Sequence, residues 1–447
     1  MKREQIAWLI TGGALCAMAL NVPGSMAQRD DDYRFVRTLV DIYRHVGTNY
    51  VESVEEKKLQ QSAINGMLGS LDPHTMYVPP DKIEAFNDAL DGSFRGVGIR
   101  LNQTPEGDIE VITPIDDSPA WKAGVRPGDV IIKVNGETIG GMRLEDVIPK
   151  IQGSPGTKVT LTMRRGKSEP LDLTMTRQEF VVPMIKGFSR NEDNTWNFWV
   201  DDETKIAYLR LTQFTPDTGD KISEIVGGLL KDGLKGLVFD LRFNPGGRLE
   251  EAERIIDLFV KDGTIVTVKG RNRPEQKMVA KADGTFPDFP MVVLVNEHSA
   301  SASEVVAGSL KDNNRAIVVG SRTYGKGSVQ EVVPLDANAG ELKITVAYWY
   351  LPSGKLVQRL KDAKEWGVEP NVVITMNEDQ QQAIAEAQLR AEYMHVTATI
   401  PTSMPATTQS TTQATTVPTT MPATTQATDT QLEKAIEVIR EKVAGKN

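Results

Sequence analysis

Apolar side chains recur along this chain with several different periods, and each period predicts a different kind of element. Between Tyr33 and Ala89 they fall mostly three and four apart, as at Phe35, Val36, Leu39, Val40 and Tyr43. That spacing lines one face of an α-helix and predicts a helical N-terminal region. From Gly92 to about Arg177 the runs shorten to Val97–Leu101, Ile109–Ile112, Val130–Val134 and Val159–Met163. They are β-rich, separated by Gly, Pro and Asn-Gly turn signals, and interrupted by one short helix near Leu144–Ile151. Past Phe180, β-branched runs at Ile206–Leu211, Leu237–Leu241, Met291–Val295 and Ile317–Val319 alternate with helical patterns at Ile222–Leu230 and Ala252–Phe259. This alternation predicts a mixed α/β core, the largest module.

Between Tyr393 and Thr428 the pattern disappears. The stretch carries no formal charge apart from a neutral His395, and Thr, Ala, Gln, Pro and Met dominate it. Met404-Pro405-Ala406-Thr407-Thr408-Gln409 returns as Met421-Pro422-Ala423-Thr424-Thr425-Gln426. So biased a segment lacks the apolar surface to offset chain ordering, which predicts a disordered Thr-rich linker. Gln431–Val443 regains helical spacing at Leu432, Ala435, Ile436 and Ile439, predicting a terminal helix that docks on this chain or on a partner.

At the other end, Lys2 and Arg3 precede a mostly apolar run from Ile6 to Val22, and Ser25-Met26-Ala27 precedes polar Gln28-Arg29-Asp30. This reads as a secretory signal peptide cleaved after Ala27, with an uncleaved membrane anchor as the alternative. Either way the body is exported, periplasmic or extracytoplasmic, and membrane contact is confined to this N-terminal segment. The expected organisation is therefore residues 1–27 signal or anchor, 28–91 helical region, 92–177 β domain, 178–392 α/β core, 393–430 linker and 431–447 terminal helix.

Composition narrows the chemistry. With 51 Lys plus Arg against 60 Asp plus Glu, the net charge of −9 gives no general attraction for phosphate backbones, so nucleic acid is not an expected partner. The single cysteine, Cys16, permits neither an internal disulfide nor a Cys-based zinc site, and four scattered histidines suggest no metal cluster.

Three segments carry candidate chemistry. The run Met291–Val295 leads through Asn296-Glu297-His298-Ser299-Ala300-Ser301-Ala302-Ser303-Glu304 into an expected helix, Val305–Leu310. A serine at such a strand-to-helix corner meets helix-end amides able to stabilise an oxyanion; the plain alternative is that Ser299, Ser301 and Ser303 are capping and packing residues. The second segment, Gly320–Gln330, almost spells a phosphate loop, but Gly327 stands where Ser or Thr would hold magnesium, and Ser328–Pro334 reads as a strand instead of a helix. Lys326 between glycines could instead approach Ser301. There, burial would favour a neutral amine able to take the serine proton, with a solvated loop lysine as the alternative. The third segment, Asp240-Leu241-Arg242-Phe243-Asn244-Pro245-Gly246-Gly247, ends a buried strand in a tight turn whose amides could face a carbonyl oxygen. A histidine triad built on His298 and Asp240 is a further alternative.

Together these segments resemble the carboxyl-terminal processing, or tail-specific, serine peptidases, over about Tyr33 to Met376. Leu71-Asp72-Pro73-His74-Thr75 resembles the family's helical N-terminal region. Gly92–Arg177, with Pro119-Ala120-Trp121-Lys122-Ala123-Gly124-Val125-Arg126-Pro127-Gly128-Asp129-Val130-Ile131, is similar to its PDZ domain. The resemblance implies a multidomain α+β protein: a helical N-terminal region, a β-sandwich or barrel-like PDZ domain, a mixed α/β crotonase-like protease core and a C-terminal helix. It implies a serine endopeptidase working through an acyl-enzyme without cofactor or metal, with Ser301 as nucleophile, Lys326 as base and Gln330 orienting the lysine. Oxyanion donors fall on the backbone N–H of Ala302 and of Gly246 or Gly247. Phe243 and His298 depart from the family's pattern, where a polar residue and a glycine are frequent.

In the PDZ region, Gly96-Val97-Gly98-Ile99 forms a turn whose amides can receive a terminal carboxylate while the following strand pairs with an extended peptide. Arg95 either adds charge attraction there or is a surface residue. The implied partners are protein or peptide substrates bound by their C-terminal tails, with room for an adaptor protein and for a homo-oligomer through the terminal helices. A PDZ scaffold that binds tails without cutting, and a P-loop ATPase at Gly320–Ser328, are the competing readings.

Overall fold

A computed structural model of the chain describes residues 33–115, 118–191, 193, 195–393 and 429–445. The expected signal segment and residues 394–428 of the expected linker lie outside the described residues. Among the described residues, no helix is long and apolar enough to cross a membrane. The chain forms two compact units that divide between Tyr77 and Val78.

In the first unit, helices run over residues 33–49 and Glu56–Gly69, as the spacing of three and four predicts. The Leu71–Thr75 motif then turns on Asp72. Its Oδ1 accepts the N–H of His74 at 2.7 Å and of Thr75 at 2.9 Å, and its Oδ2 accepts the Thr75 hydroxyl at 2.7 Å. A short carboxylate folding back on its own backbone is what favours Asp in such turns.

The second unit contains a small β domain and an α/β core. The β domain is an antiparallel sheet in the order Ile99–Gln103, Ile109–Pro114, Asp129–Val134, Lys158–Arg165 and Leu171–Thr176. Along Lys158–Arg165, Val159, Leu161 and Met163 point into the core and the threonines between them point outward, the two-residue period of a half-buried strand. Helix Leu144–Ile151 buries Val147 and Ile151 against this sheet. Its last turn is held by buried Arg177, which donates to the carbonyls of Ile151 at 2.8 Å and Lys150 at 3.0 Å. Ser93–Gly96 pairs antiparallel with Gln178–Val181, so the domain's entry and exit strands are zipped together.

The core is built on a second sheet in which Ile206–Leu211, Gly236–Asp240, Met291–Val295 and Ile317–Gly320 lie parallel in that order. These are the predicted β-branched runs, and they read as continuous apolar stretches because both faces are covered. On one face, helices Thr218–Lys231, Leu249–Asp257 and Ala302–Asp312 pack on Leu209, Leu237, Phe239, Val293 and Val318. On the other, the C-terminal helix Thr430–Ala444 packs Ala435, Val438 and Ile439 on Ile206, Val238, Val292 and Val319. The terminal helix thus docks on this chain. A Cβ at Gly236 would lie 2.3 Å from Ile439 Cγ2, so the helix seats where the sheet lacks a side chain.

A third sheet joins Ser328–Pro334, Glu341–Tyr350, Thr264–Gly270 and Gln276–Val279 antiparallel. Neither strand Glu341–Tyr350 nor helix Glu378–Tyr393 stands out in the hydrophobic pattern, because partial burial mixes charged and apolar residues along both.

Candidate active site

Three of the parallel strands end at one edge of the core sheet, and the loops that follow them carry all three candidate segments. Ligands of open α/β sheets bind outside the carboxyl ends of the strands. After Met291–Val295 the chain makes a tight turn in which two of the three serines are fully buried and committed to backbone. Ser299 Oγ accepts the Asn296 N–H at 2.9 Å and donates to the Leu241 carbonyl at 2.8 Å. Ser303 Oγ donates to the Asn244 carbonyl at 2.9 Å. Ser301 lies between them, half-buried, at φ 56° and ψ −118°, immediately before the helix Ala302–Asp312. Such a conformation costs a non-glycine residue about 1–3 kcal/mol and persists only where surrounding structure enforces it.

Here the enforcing group is Glu304. Its Oε2 accepts the backbone N–H of Ser301 at 2.9 Å and that of Lys326 at 2.8 Å. Its Oε1 accepts the Gly325 N–H at 2.7 Å and the Thr323 hydroxyl at 2.6 Å. One buried carboxylate therefore ties the serine turn to the lysine loop, although their sequences lie far apart. Burial pushes the Glu304 pKa above its ordinary value, opposed by the Thr323 hydroxyl and the three N–H groups. Sequence reasoning assigned Glu304 no role. The available signal was Ser301-x-x-Glu304 ahead of an apolar run, the capping-box pattern.

The Asp240–Gly247 loop closes on the same place. A Cβ at Gly246 would sit 2.7 Å from Ser301 Cβ and 3.0 Å from the Ala302 nitrogen, so only glycine lets the two loops meet. The Gly246 N–H is already given to Asn244 Oδ1 at 2.8 Å. The N–H groups of Gly247 and of Ala302, the first helical residue, have no hydrogen-bond acceptor among the described residues. Gln330 lies in strand Ser328–Pro334, where its Nε2 donates to Ser328 Oγ at 2.8 Å and Thr345 Oγ1 at 3.2 Å.

Two competing readings lose their footing. A phosphate loop would need a helix after Gly327, but a strand begins at Ser328, and the amides of Gly325 and Lys326 face a carboxylate. Asp240 is unsuited to orient His298, because it accepts the Tyr208 hydroxyl at 2.8 Å and pairs with Arg242 at 2.7 Å. His298 instead stacks on Phe243, with ring centroids 5.6 Å apart and planes 19° apart. The two departures from the family's pattern thus touch one another.

In the β domain, the Gly98 carbonyl accepts the Ile115 N–H at 2.8 Å and the Ser118 hydroxyl at 3.1 Å, fixing the Gly96–Ile99 turn. That turn, with Ile148, Ile151 and Gln152, lines a cavity of about 580 Å³ that Thr212 and Phe243 of the core also line. Arg95 is engaged by Glu84, by Asp88 at 3.4 Å and by Glu179 at 3.7 Å. Its charge is therefore already matched by carboxylates of this chain.

Comparison with known proteins agrees with this architecture. Residues 205–374 match Peptidase family S41, residues 110–165 match the PDZ domain, and residues 19–81 match the activating protease CtpB N-terminal domain. The carboxy-terminal-processing protease of Bartonella bacilliformis is 38% identical over 376 residues, covering 83% of this chain and 81% of the relative. The carboxy-terminal processing protease CtpA of Bacillus subtilis is 32% identical over 383 residues, covering 83% and 78%. Among solved structures, the photosystem II D1 C-terminal processing protease is 30% identical, with a TM-score of 0.43 over 75% of this chain and 92% of its own.

Proposed function

Because the chain belongs to the carboxy-terminal processing serine peptidases and carries a PDZ domain, we propose that it is an exported serine endopeptidase that cleaves proteins held by their C-terminal tails, with Ser301 as nucleophile and Lys326 as general base. The observation that carries this reading is the Glu304 carboxylate, which holds the Ser301 and Lys326 backbones on one oxygen.

The uncharged Lys326 amine accepts the Ser301 hydroxyl proton as Oγ attacks the scissile carbonyl carbon. The carbonyl oxygen becomes an oxyanion facing the N–H groups of Ala302 and Gly247. Gly247 is preferred to Gly246 because the Gly246 N–H is already bonded to Asn244. A preorganised donor of this kind contributes about 2.7–4 kcal/mol to the transition state. Collapse breaks the C–N bond, and the Lys326 ammonium returns its proton to the leaving amine. Water, deprotonated by the same lysine, then releases the acyl group and restores Ser301. Gln330, four residues past Lys326, orients the lysine. The Gly96–Ile99 turn receives the tail's terminal carboxylate on its amides, and the apolar side chains of Ile148 and Ile151 take the last side chain.

Residues 92–177 serve as the tail-binding domain and 178–392 as the catalytic core. Export rests on Lys2, Arg3, the Ile6–Val22 run and Ser25-Met26-Ala27. The decisive experiment is cleavage of an unfolded protein substrate by purified Ser301→Ala and Lys326→Ala. Each is expected to lose activity with its circular dichroism unchanged, and full activity in either one removes the assignment.

A further inference from the structure

We propose that the C-terminal helix is a working part of the active site, with Asp429 a positioning residue that holds the Asp240–Gly247 loop in place through Arg242. The inference rests on the reading above that this loop presents an oxyanion donor.

The Arg242 side chain is fully buried where strand Gly236–Asp240 passes into the loop. Its Nη2 donates to Asp240 Oδ2 at 2.7 Å and to Asp429 Oδ2 at 2.9 Å. Its Nη1 donates to Asp429 Oδ1 at 2.8 Å and to Gln431 Oε1 at 3.3 Å, and its Nε donates to Asp240 Oδ1 at 3.0 Å. The planar guanidinium is thus gripped on two edges, by Asp240 at the end of the preceding strand and by Asp429, which the sequence pattern places inside the linker. Such two-point geometry fixes orientation as well as charge. Burial alone would lower the guanidinium pKa, but Asp240 and then Asp429 outweigh it and hold the value well above the ordinary one.

Asp429 and Gln431 also seat the helix. Asp429 Oδ1 caps it by accepting the Leu432 N–H at 3.0 Å, and Gln431 Nε2 donates to the Ile374 carbonyl at 2.7 Å. On the loop side, the next residue, Phe243, is held at φ 60° with its N–H on Asn296 Oδ1 at 3.0 Å. Asn244 follows, donating from Nδ2 to the Leu211 carbonyl at 2.8 Å and accepting the Gly246 N–H on Oδ1 at 2.8 Å. Gly246 then abuts Ser301. Withdrawing Asp429 leaves the guanidinium paired with Asp240 but takes the Asp429 acceptors from Nη1 and Nη2 in a buried place, so Arg242 shifts or admits water, and the loop is anchored at that point. A buried ion pair adds little stability over packed apolar side chains, so its contribution here is position.

Asp429→Asn in the full chain separates the roles, since Asn caps a helix as well as Asp does but lacks the charge. The expected result on a tail-bearing peptide is a kcat lowered by about tenfold or more with KM nearly unchanged, the signature of an interaction used in the transition state. Amide hydrogen exchange should quicken at residues 242–247 while residues 433–444 stay protected. An unchanged kcat, or exchange that quickens in the helix and not in the loop, overturns the proposal. Should the variant fold poorly, native-state exchange on the unmodified protein decides: the latch requires loop and helix N-terminus to open with the same free energy, and independent opening refutes it. Ser301→Ala tests the dyad separately. Activity surviving there sinks the proposed chemistry, while the exchange result still judges the latch.

Discussion

The proposed serine–lysine site and the proposed tail-binding turn Gly96–Ile99 both involve backbone amides, yet their main-chain groups are tied in opposite ways. At the junction of the serine and lysine loops the amides of Ser301, Gly325 and Lys326 are consumed by a buried carboxylate of the same chain, so main-chain position is set before any substrate arrives. In the PDZ turn it is the carbonyls of Val97 and Gly98 that are tied down, by Ala120, Ile115 and Ser118, and the turn opens on a cavity with apolar walls. The difference fits the roles proposed for them: proton transfer needs groups locked by internal charge, whereas capture of chain ends needs them addressed to a ligand.

The contrast breaks most severely at Glu304. Glu304→Gln replaces an oxygen that accepts two hydrogen bonds by an amide donor, so donor faces donor at the junction of the two loops. The expected outcome is loss of kcat by two orders of magnitude or so, in line with the 1 Å displacements that cost about 10²-fold. Tail affinity measured by fluorescence anisotropy should stay unchanged. Equal loss of both would mean that the two regions are not separately built.

The second expectation concerns pH. Burial raises the folded-state pKa of Glu304, so between the ordinary glutamate value and the raised one the native protein binds a proton that the unfolded chain does not. This contribution to stability is present at low pH and falls as pH rises through that window, because the slope follows the difference in bound protons. Activity needs the ionised, four-acceptor form and therefore rises over the same window. A thermal-melt series and a pH–rate profile of the wild type should run in opposite senses there, and Glu304→Gln should flatten the melting difference.

On the recognition side, Gly98 has φ 75°, and a Cβ there would lie 2.3 Å from Ser118 Cβ. Gly98→Val should weaken tail binding by about tenfold or more, given that substitution at an incompatible φ and a blocked position destabilises by more than 1 kcal/mol. Cleavage of a short peptide that does not engage the PDZ domain should be spared. Loss of that cleavage as well would tie the turn to the chemistry. The smallest effect is expected at His298, whose stack on Phe243 represents about 0.5–1.5 kcal/mol of ring contact. His298→Ala should change kcat/KM less than about tenfold, whereas a loss near that of Ser301→Ala would revive a histidine base.

Much of the scaffold was legible before any coordinates. Ile206–Leu211, Met291–Val295, Ser328–Pro334 and Leu144–Ile151 appear with the predicted limits, because buried β-branched runs and strong turn residues decide such elements locally. Helix Ala302–Asp312 begins three residues earlier than expected, since the serine turn carries its first turn and Glu304 its cap. The predicted linker limit at 430 also shifts, for Asp429 and Thr430 belong to the helix and its cap. What could not be read were contacts whose partners lie far apart in the chain. Arg242 and Asp429 are one such pair, and Glu304 with Lys326 is another.

The amino-acid order by itself determined the family, the sequence of helical and β patterns and the short list of candidate residues, because periodicity, turn chemistry and motif are local properties. Only tertiary structure showed which backbone groups Ser299 and Ser303 bond, gave Glu304 its junction and placed the terminal helix on this chain's own sheet. Those outcomes depend on which carbonyl, carboxylate or apolar face lies within reach after folding, and reach in space is not written in spacing along the chain.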